Sequence, residues 1–381
     1  MRVGGAIGRG SGCASYRPDR RRVEADRGNG ACGRRGLPSA DRATEDTELS
    51  DAREIYRQSL VWDDHCGFEL EPAAPLEPLL RPWRDAGVGY LSINVSFDPR
   101  PWTRAVENIA ALRRRLADEA PWCRLVATVA EIDRARADGK MAVTFDIEGM
   151  NALDGRLEMV QLYYDLGVRH MLFAYNRNNL AGSGCHDEDT GLTAFGRRVI
   201  DEMNRVGMVV DCTHTGLRTT LEAMDRSSRP VIFSHANARA LVDHARNITD
   251  AQIRACAATG GVVGVNGVNL FLGEEVPTPA AVARHAAHIA GLVGAAHVGI
   301  SLDFAPDDAE ADAGSPTMAE TVARDPHYWP KDAGYDRPVR FLDVRRLPEV
   351  AEELAATGFS GPEIAGILGG NFRRVAEAVW R

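Results

Sequence analysis

The stretch TAFGRRVIDEMNRVGMVVDCTH, residues 193–214, decides how this chain folds. Its first part, TAFGRRVIDEMNRVG (193–207), carries an amphipathic helical pattern, and it runs directly into GMVVDCTH (207–214), a short apolar run rich in β-branched residues. Short runs of that kind form strands buried on both faces. The same alternation extends outward in both directions. Upstream lie SLVWD (59–63), VGYLSINVS (88–96), MAVTFDIEG (141–149) and VRHMLFAYN (168–176), and downstream PVIFSHA (230–236), GGVVGVNG (260–267) and HVGISLDF (297–304). Helical patterns such as 105–120 and 279–294 separate them. Eight such strands with intervening helices fit an α/β fold of the (β/α)8 TIM-barrel type better than a doubly wound sheet.

The 381 residues are 44% hydrophobic and 26% charged, with a formal net charge of −9. These values suit a globular protein, give no support to a nucleic-acid partner, and no apolar run reaches the roughly 18 to 20 residues of a membrane span. The seven cysteines are scattered, none in a CxxC pair, which argues against a structural zinc knuckle and for a reducing, cytoplasmic compartment. Residues 1–48 are poor in large apolar side chains and contain no secretory signal pattern, so they are expected to be a disordered extension. Residues 49–381 then form a single barrel domain.

Candidate ligands stand at the C-terminal ends of the expected strands: Asp63, His65, Glu148, Tyr175, His214, His235 and Asp303. That is the face on which barrel enzymes place their chemistry. One histidine at a strand end is more often structural. Several imidazoles and carboxylates converging there are not packing, because each unpaired buried polar group costs on the order of 2 kcal/mol. Such a donor set suits zinc or a similar divalent ion. His170, His186, His244, His285, His288, His297 and His327 are read as non-catalytic, and Cys212 as a packed thiol.

Against this background the order of motifs becomes recognisable. GLTAFGRRVIDEMNRVGMVVDCTHTG (191–216), RPVIFSHANARAL (229–241) and HARNITD (244–250) resemble the membrane (renal) dipeptidase family of zinc metallopeptidases. DIEGMNAL (146–153), GVRHMLFAYNRNN (167–179) and ILGGNFRRV (367–375) extend the likeness over nearly the whole chain after residue 50. The resemblance implies that His65 binds a first metal ion, that Glu148 bridges two, and that His214 and His235 hold the second. It implies that Asp303 handles protons as the catalytic acid–base group, that Arg246 binds the substrate's terminal carboxylate, and that Tyr175 stands where a histidine contacts the substrate carbonyl. A tyrosine hydroxyl can donate the same bond.

The chain departs from the family at one ligand. The family's His-x-Asp at the first strand is His65-Cys66-Gly67 here, which lacks the second ligand. One or two Zn²⁺ ions are therefore expected, the one at His65 weakly held, with Asp63 as the first candidate substitute. The implied activity is metal-dependent hydrolysis of dipeptides with a free C-terminal carboxylate, including those with a C-terminal D-residue. Hydrolysis of another small amide, an N-acyl amino acid or a lactam, and a metal-depleted binding protein are the alternatives. The expected partner is a small peptide substrate, without nucleic acid or membrane, and a homodimer is compatible.

Overall fold

The computed structural model describes residues 51–306 and 316–381. The disorder expected of residues 1–48 lies outside them. Nine strands form among the described residues: β1 (Trp62–Asp63), β2 (Tyr90–Phe97), β3 (Cys123–Leu125), β4 (Met141–Glu148), β5 (Val168–Leu172), β6 (Val209–Asp211), β7 (Val231–Ile232), β8 (Val263–Val265) and β9 (Val298–Ile300). All pairings are parallel, in the order β1-β2-β4-β5-β6-β7 and then β8-β9. A parallel bridge between Phe233 and Val263 joins the two sheets. This is the order of a (β/α)8 barrel, and each of the eight expected apolar runs contains one of its strands.

The ring closes between β9 and β1 through side chains as well as backbone. The Asp63 carboxylate accepts from Ser301 Oγ at 3.0 Å and from the Leu302 amide at 3.2 Å. The Gly67 amide donates to the Phe304 carbonyl at 2.9 Å. The extra strand β3 pairs only with the first residues of β4, on the side where β5 has yet to begin. Three residues, Cys-Arg-Leu, are too short for their pattern to announce a strand.

Local signals set the helix around the deciding stretch. Thr193 caps Ala194–Val206 by accepting the Gly196 amide, and Gly207 ends it at φ 92°, a left-handed turn that glycine adopts without penalty. Val199, Ile200 and Met203 on one face are fully buried. Each such side chain contributes about 1.5–3 kcal/mol relative to exposure. The C-terminal motif ILGGNFRRV works at the opposite end of the barrel from the candidate ligands. Gly369 there packs so closely that a Cβ would lie 2.1 Å from the Leu60 carbonyl oxygen, while Asn371 Nδ2 donates to the carbonyls of Ala295 and Val298. Among the described residues no helix is long and apolar enough to cross a membrane.

Candidate active site

Polar residues alternate along the two longest, fully buried strands: Ser92, Asn94 and Ser96 in β2, and Thr144, Asp146 and Glu148 in β4. Period two puts the β4 set on one side with Ser92 and Asn94 beside it, and a register shift after Asn94 then brings Phe97, not Ser96, alongside Glu148. In a barrel that side can only be the interior, so the carboxylates of Asp146 and Glu148 rise through the core toward the C-terminal mouth.

Three histidines meet Glu148 there. Its Oε1 lies 3.7 Å from His65 Nε2, 3.3 Å from His214 Nε2 and 3.5 Å from His235 Nε2. The Nε2 atoms of His214 and His235 are 3.1 Å apart, and the rings of His65 and His235 stack at 4.1 Å. Each imidazole is oriented from behind by a different partner. His65 Nδ1 faces Asp146 Oδ1 at 3.1 Å, His214 Nδ1 faces Asn176 Oδ1 at 2.7 Å, and His235 Nδ1 faces Ser234 Oγ at 2.9 Å. The Ser234 hydroxyl spends its proton on Asp211 Oδ2 at 2.5 Å, so it can only accept from His235. His214 and His235 therefore carry their proton on Nδ1 and turn the Nε2 lone pair toward Glu148, while Asp146 holds the Nδ1 proton of His65 and leaves its Nε2 facing the same carboxylate.

Three imidazoles and a carboxylate thus converge inside a barrel. Glu148 Oε1 is buried without a hydrogen-bond partner. A cation is the species that satisfies such a set, and His65, Glu148 and His235 each bring a ligand atom within 4.8 Å of the other two. Burial, reinforced by the neighbouring carboxylates of Asp303 and Asp146 and opposed by His65, pushes Glu148 up to about 8. Burial, with Arg246 and the other histidines adding to it, holds His214 and His235 well below the usual imidazole range. Burial would lower His65 as well, but Glu148 and Asp146 outweigh it and hold that ring well above its ordinary value.

The other sequence-predicted residues surround this cluster. Asp303 Oδ1 lies 3.5 Å from His65 Nε2. Tyr175 stacks on His214 at 4.1 Å and lines a cavity of about 660 Å³ together with Glu148, Phe97 and Trp329. Burial, then Glu148 and Asp303, keep its phenol well above the ordinary tyrosine range, so it remains a donor. Arg246 is 2% exposed, lies over the Phe271 ring at 5.1 Å and donates from Nη2 to the His235 carbonyl at 3.4 Å, leaving Nε buried without a partner.

One expectation needs correction. Asp63 does not replace the missing ligand: beyond its bonds to Ser301 and Leu302 it accepts from Trp83 Nε1 at 2.8 Å, so its oxygens are committed to closing the barrel. Nor can position 67 take a side chain, since a Cβ on Gly67 would sit 2.2 Å from the Asp303 backbone oxygen. The Cys66 thiol, beyond the end of β1, accepts from the Asn94 amide at 3.4 Å. His186 lies outside the cluster, 3.4 Å from the Tyr335 hydroxyl.

The supporting residues Asp146, Asn176, Ser234 and Asp98 escaped the sequence reading. Asp146 was within reach, standing two residues before Glu148 on the same strand face. Asp98 holds the Tyr175 amide at 3.0 Å and Asn179 Nδ2 at 2.8 Å, and its carboxylate fills space that only a glycine at 149 leaves open. Asn176, His214 and Asp303 all have left-handed backbones, at φ 62°, 62° and 56°. Non-glycine residues held there cost on the order of 1–3 kcal/mol each and cluster at functional sites.

Fold and site together define a (β/α)8-barrel protein with a His/carboxylate centre at the C-terminal ends of its strands. The chain belongs to the membrane dipeptidase family, peptidase family M19, whose family model matches residues 81–325. It is 37% identical over 249 residues to an uncharacterized dipeptidase, C965.12, of Schizosaccharomyces pombe, covering 63% of this chain and 53% of that one. An uncharacterized protein in the pqqA 5′ region of Klebsiella pneumoniae is 30% identical over 287 residues, covering 72% of this chain and 96% of its own length. The chain spans about half the length of the first curated relatives that it matches. Among solved structures, an amidohydrolase from Pseudomonas aeruginosa aligns with a TM-score of 0.75 at 27% identity, over 86% of this chain and 99% of that one. A metallopeptidase from Rhodobacter sphaeroides, solved with a phosphinate mimic of the dipeptide L-Ala-D-Ala, aligns at 0.67 with 21% identity, over 85% and 100%.

Proposed function

We propose that the chain is a zinc-dependent dipeptidase, with residues 49–381 as its catalytic unit and His65, Glu148, His214 and His235 holding one or two ions. The observation that carries this reading is the convergence of three histidine Nε2 atoms on a buried, unpartnered Glu148 Oε1. A bound divalent ion supplies acidified water and polarisation of the scissile carbonyl.

The remaining work falls to the protein's own groups. Arg246, buried with a free Nε, offers a charge-assisted contact to the substrate's terminal carboxylate. Tyr175, fixed by its stack on His214 and by Asp98 beneath its amide, offers a hydrogen bond from its hydroxyl to the carbonyl oxygen on which charge develops. Asp303 takes a proton from the attacking water and passes it to the leaving amine. A C-terminal D-residue falls within the proposed substrate range, in line with the dipeptide mimic bound to the Rhodobacter relative. A cytoplasmic location is supported by Cys66, Cys123, Cys185, Cys212 and Cys256 all being free thiols.

The test is a substrate panel on zinc-loaded protein: free dipeptides, their C-terminal amides, N-acyl amino acids and a lactam. The expected result is turnover of free dipeptides well above the rest. Preferential turnover of N-acyl amino acids or the lactam would transfer the site to another amide, and no turnover of any would leave a binding protein.

A further inference from the structure

We propose that Asp303 ligates the ion held by His65, in place of the aspartate that the family's His-x-Asp pair supplies and that this chain lacks at Gly67. The inference rests on the metal reading above and adds one ligand to it.

A Cβ at position 67 would lie 2.2 Å from the Asp303 carbonyl oxygen and 2.6 Å from Asp303 Oδ1. Asp303 therefore already fills the volume into which a side chain from residue 67 would project. The Gly67 amide donates to the Phe304 carbonyl at 2.9 Å and ties the end of the first strand to the segment after β9. Loss of the aspartate at 67 and the close approach of Asp303 are one steric event.

Distance is the second observation. Asp303 Oδ1 stands 3.5 Å from His65 Nε2, slightly nearer than Glu148 Oε1 at 3.7 Å. Two ligand atoms bound at 2.0–2.1 Å to a tetrahedral ion lie about 3.3–3.4 Å apart. The separation is that of two ligands sharing an ion.

Orientation is the third. Asp303 has φ 56°, a backbone conformation uncommon for a non-glycine residue, and its second oxygen accepts from Asn266 Nδ2 at 3.2 Å. Asn266 is itself fixed, its amide donating to Asn237 Oδ1 at 3.0 Å and its own Oδ1 accepting the Val268 amide at 2.7 Å. The carboxylate is thus presented with Oδ1 toward His65 and Oδ2 tethered, the arrangement typical of a ligating carboxylate with its supporting hydrogen bond.

The other acidic groups nearby are committed elsewhere. Asp63 accepts from Trp83, Ser301 and Leu302, and Asp146 from His65 Nδ1, Ser92 Oγ and Asn94 Nδ2. His65, Glu148 and Asp303 then give the first ion three protein ligands, as many as Glu148, His214 and His235 give the second. The weak site expected from the sequence becomes an ordinary one, and ion binding and proton transfer fall on the same carboxylate.

Zn²⁺ affinity, measured by competition with a chromophoric chelator on apo-protein, tests this without reference to turnover. The series is wild type, Asp303→Asn, His65→Gln and His214→Gln, with Co²⁺ absorption as a readout of ligand number and apo-state thermal unfolding as a control for folding. Asp303→Asn and His65→Gln are expected to weaken the same binding step at least about tenfold and to change the Co²⁺ spectrum alike, while His214→Gln weakens the other step. If Asp303→Asn binds both equivalents as wild type does and loses only turnover, the aspartate moves protons alone and the proposal is overturned while the hydrolase reading stands. If wild-type protein takes up no ion, both fail together.

Discussion

His214 Nε2 and His235 Nε2 face each other at 3.1 Å with no proton between them. Asn176 holds the only proton of one ring and Ser234 that of the other, so neither contact atom is a donor. Two lone pairs at that distance repel, and the arrangement persists because residues behind each ring fix its orientation before any ligand arrives. That is preorganisation for a cation, and it sets what each perturbation of the site should do.

Arg246→Ala is expected to raise KM for free dipeptides by roughly tenfold or more, since a charge-assisted contact contributes about 1.5–3 kcal/mol. Zinc content should be unchanged. Comparing each dipeptide with its C-terminal amide checks the cause: the variant should lose the preference for the free carboxylate that the wild type shows.

Tyr175→Phe keeps the ring that stacks on His214 and packs edge-on to Phe97 and Trp329, so folding should be preserved. It removes the hydroxyl donor. Loss of one such donor to a developing oxyanion costs on the order of 10²–10³ in kcat. A kcat within twofold of wild type would make Tyr175 a packing residue.

Gly67→Ala is expected to destabilise the fold by on the order of 1–3 kcal/mol, because the added methyl meets backbone, not a flexible side-chain end. Gly67→Asp should do at least as much harm and should not improve zinc binding. Urea unfolding of the apo-proteins reads both effects.

His170 lies beneath the site among three buried carboxylates, 3.5 Å from Asp211, 3.8 Å from Asp64 and 3.9 Å from Asp146. Burial opposes its charge, yet Asp64, Asp211 and Asp146 prevail and raise it to about 10. A histidine raised in the folded state gives stability that is fully present below its unfolded pKa of about 6.5 and is lost as pH rises through about 10. The stability difference between wild type and His170→Gln should therefore shrink across that window. A difference that stays constant from pH 6 to 10 would mean that His170 is neutral throughout.

The barrel was legible because each strand is a short apolar run with a helical pattern after it, and the ligands because they close those runs: Glu148 ends MAVTFDIE and His214 ends GMVVDCTH. What stayed hidden depends on contacts between distant segments. Asn176 reaches His214 only through a left-handed turn that no local pattern encodes, and Asp98 supports Tyr175 from 77 residues away. Asp63 looked like a ligand because alternation puts it on the inner side of its strand. The partners that claim it, Ser301 and Leu302, lie about as far away in sequence as the barrel allows. Gly67 read as a missing ligand, and only its contact with Asp303 shows why a side chain there is excluded.

The most direct test of the metal-centred reading is dipeptide turnover measured before and after chelator dialysis and again on zinc readdition, in wild type and in His235→Gln. The expected result is activity lost with the metal, restored by zinc in the wild type, and absent in the variant under all three conditions. Turnover that survives removal of metal, or that His235→Gln retains at near wild-type rate, would contradict it.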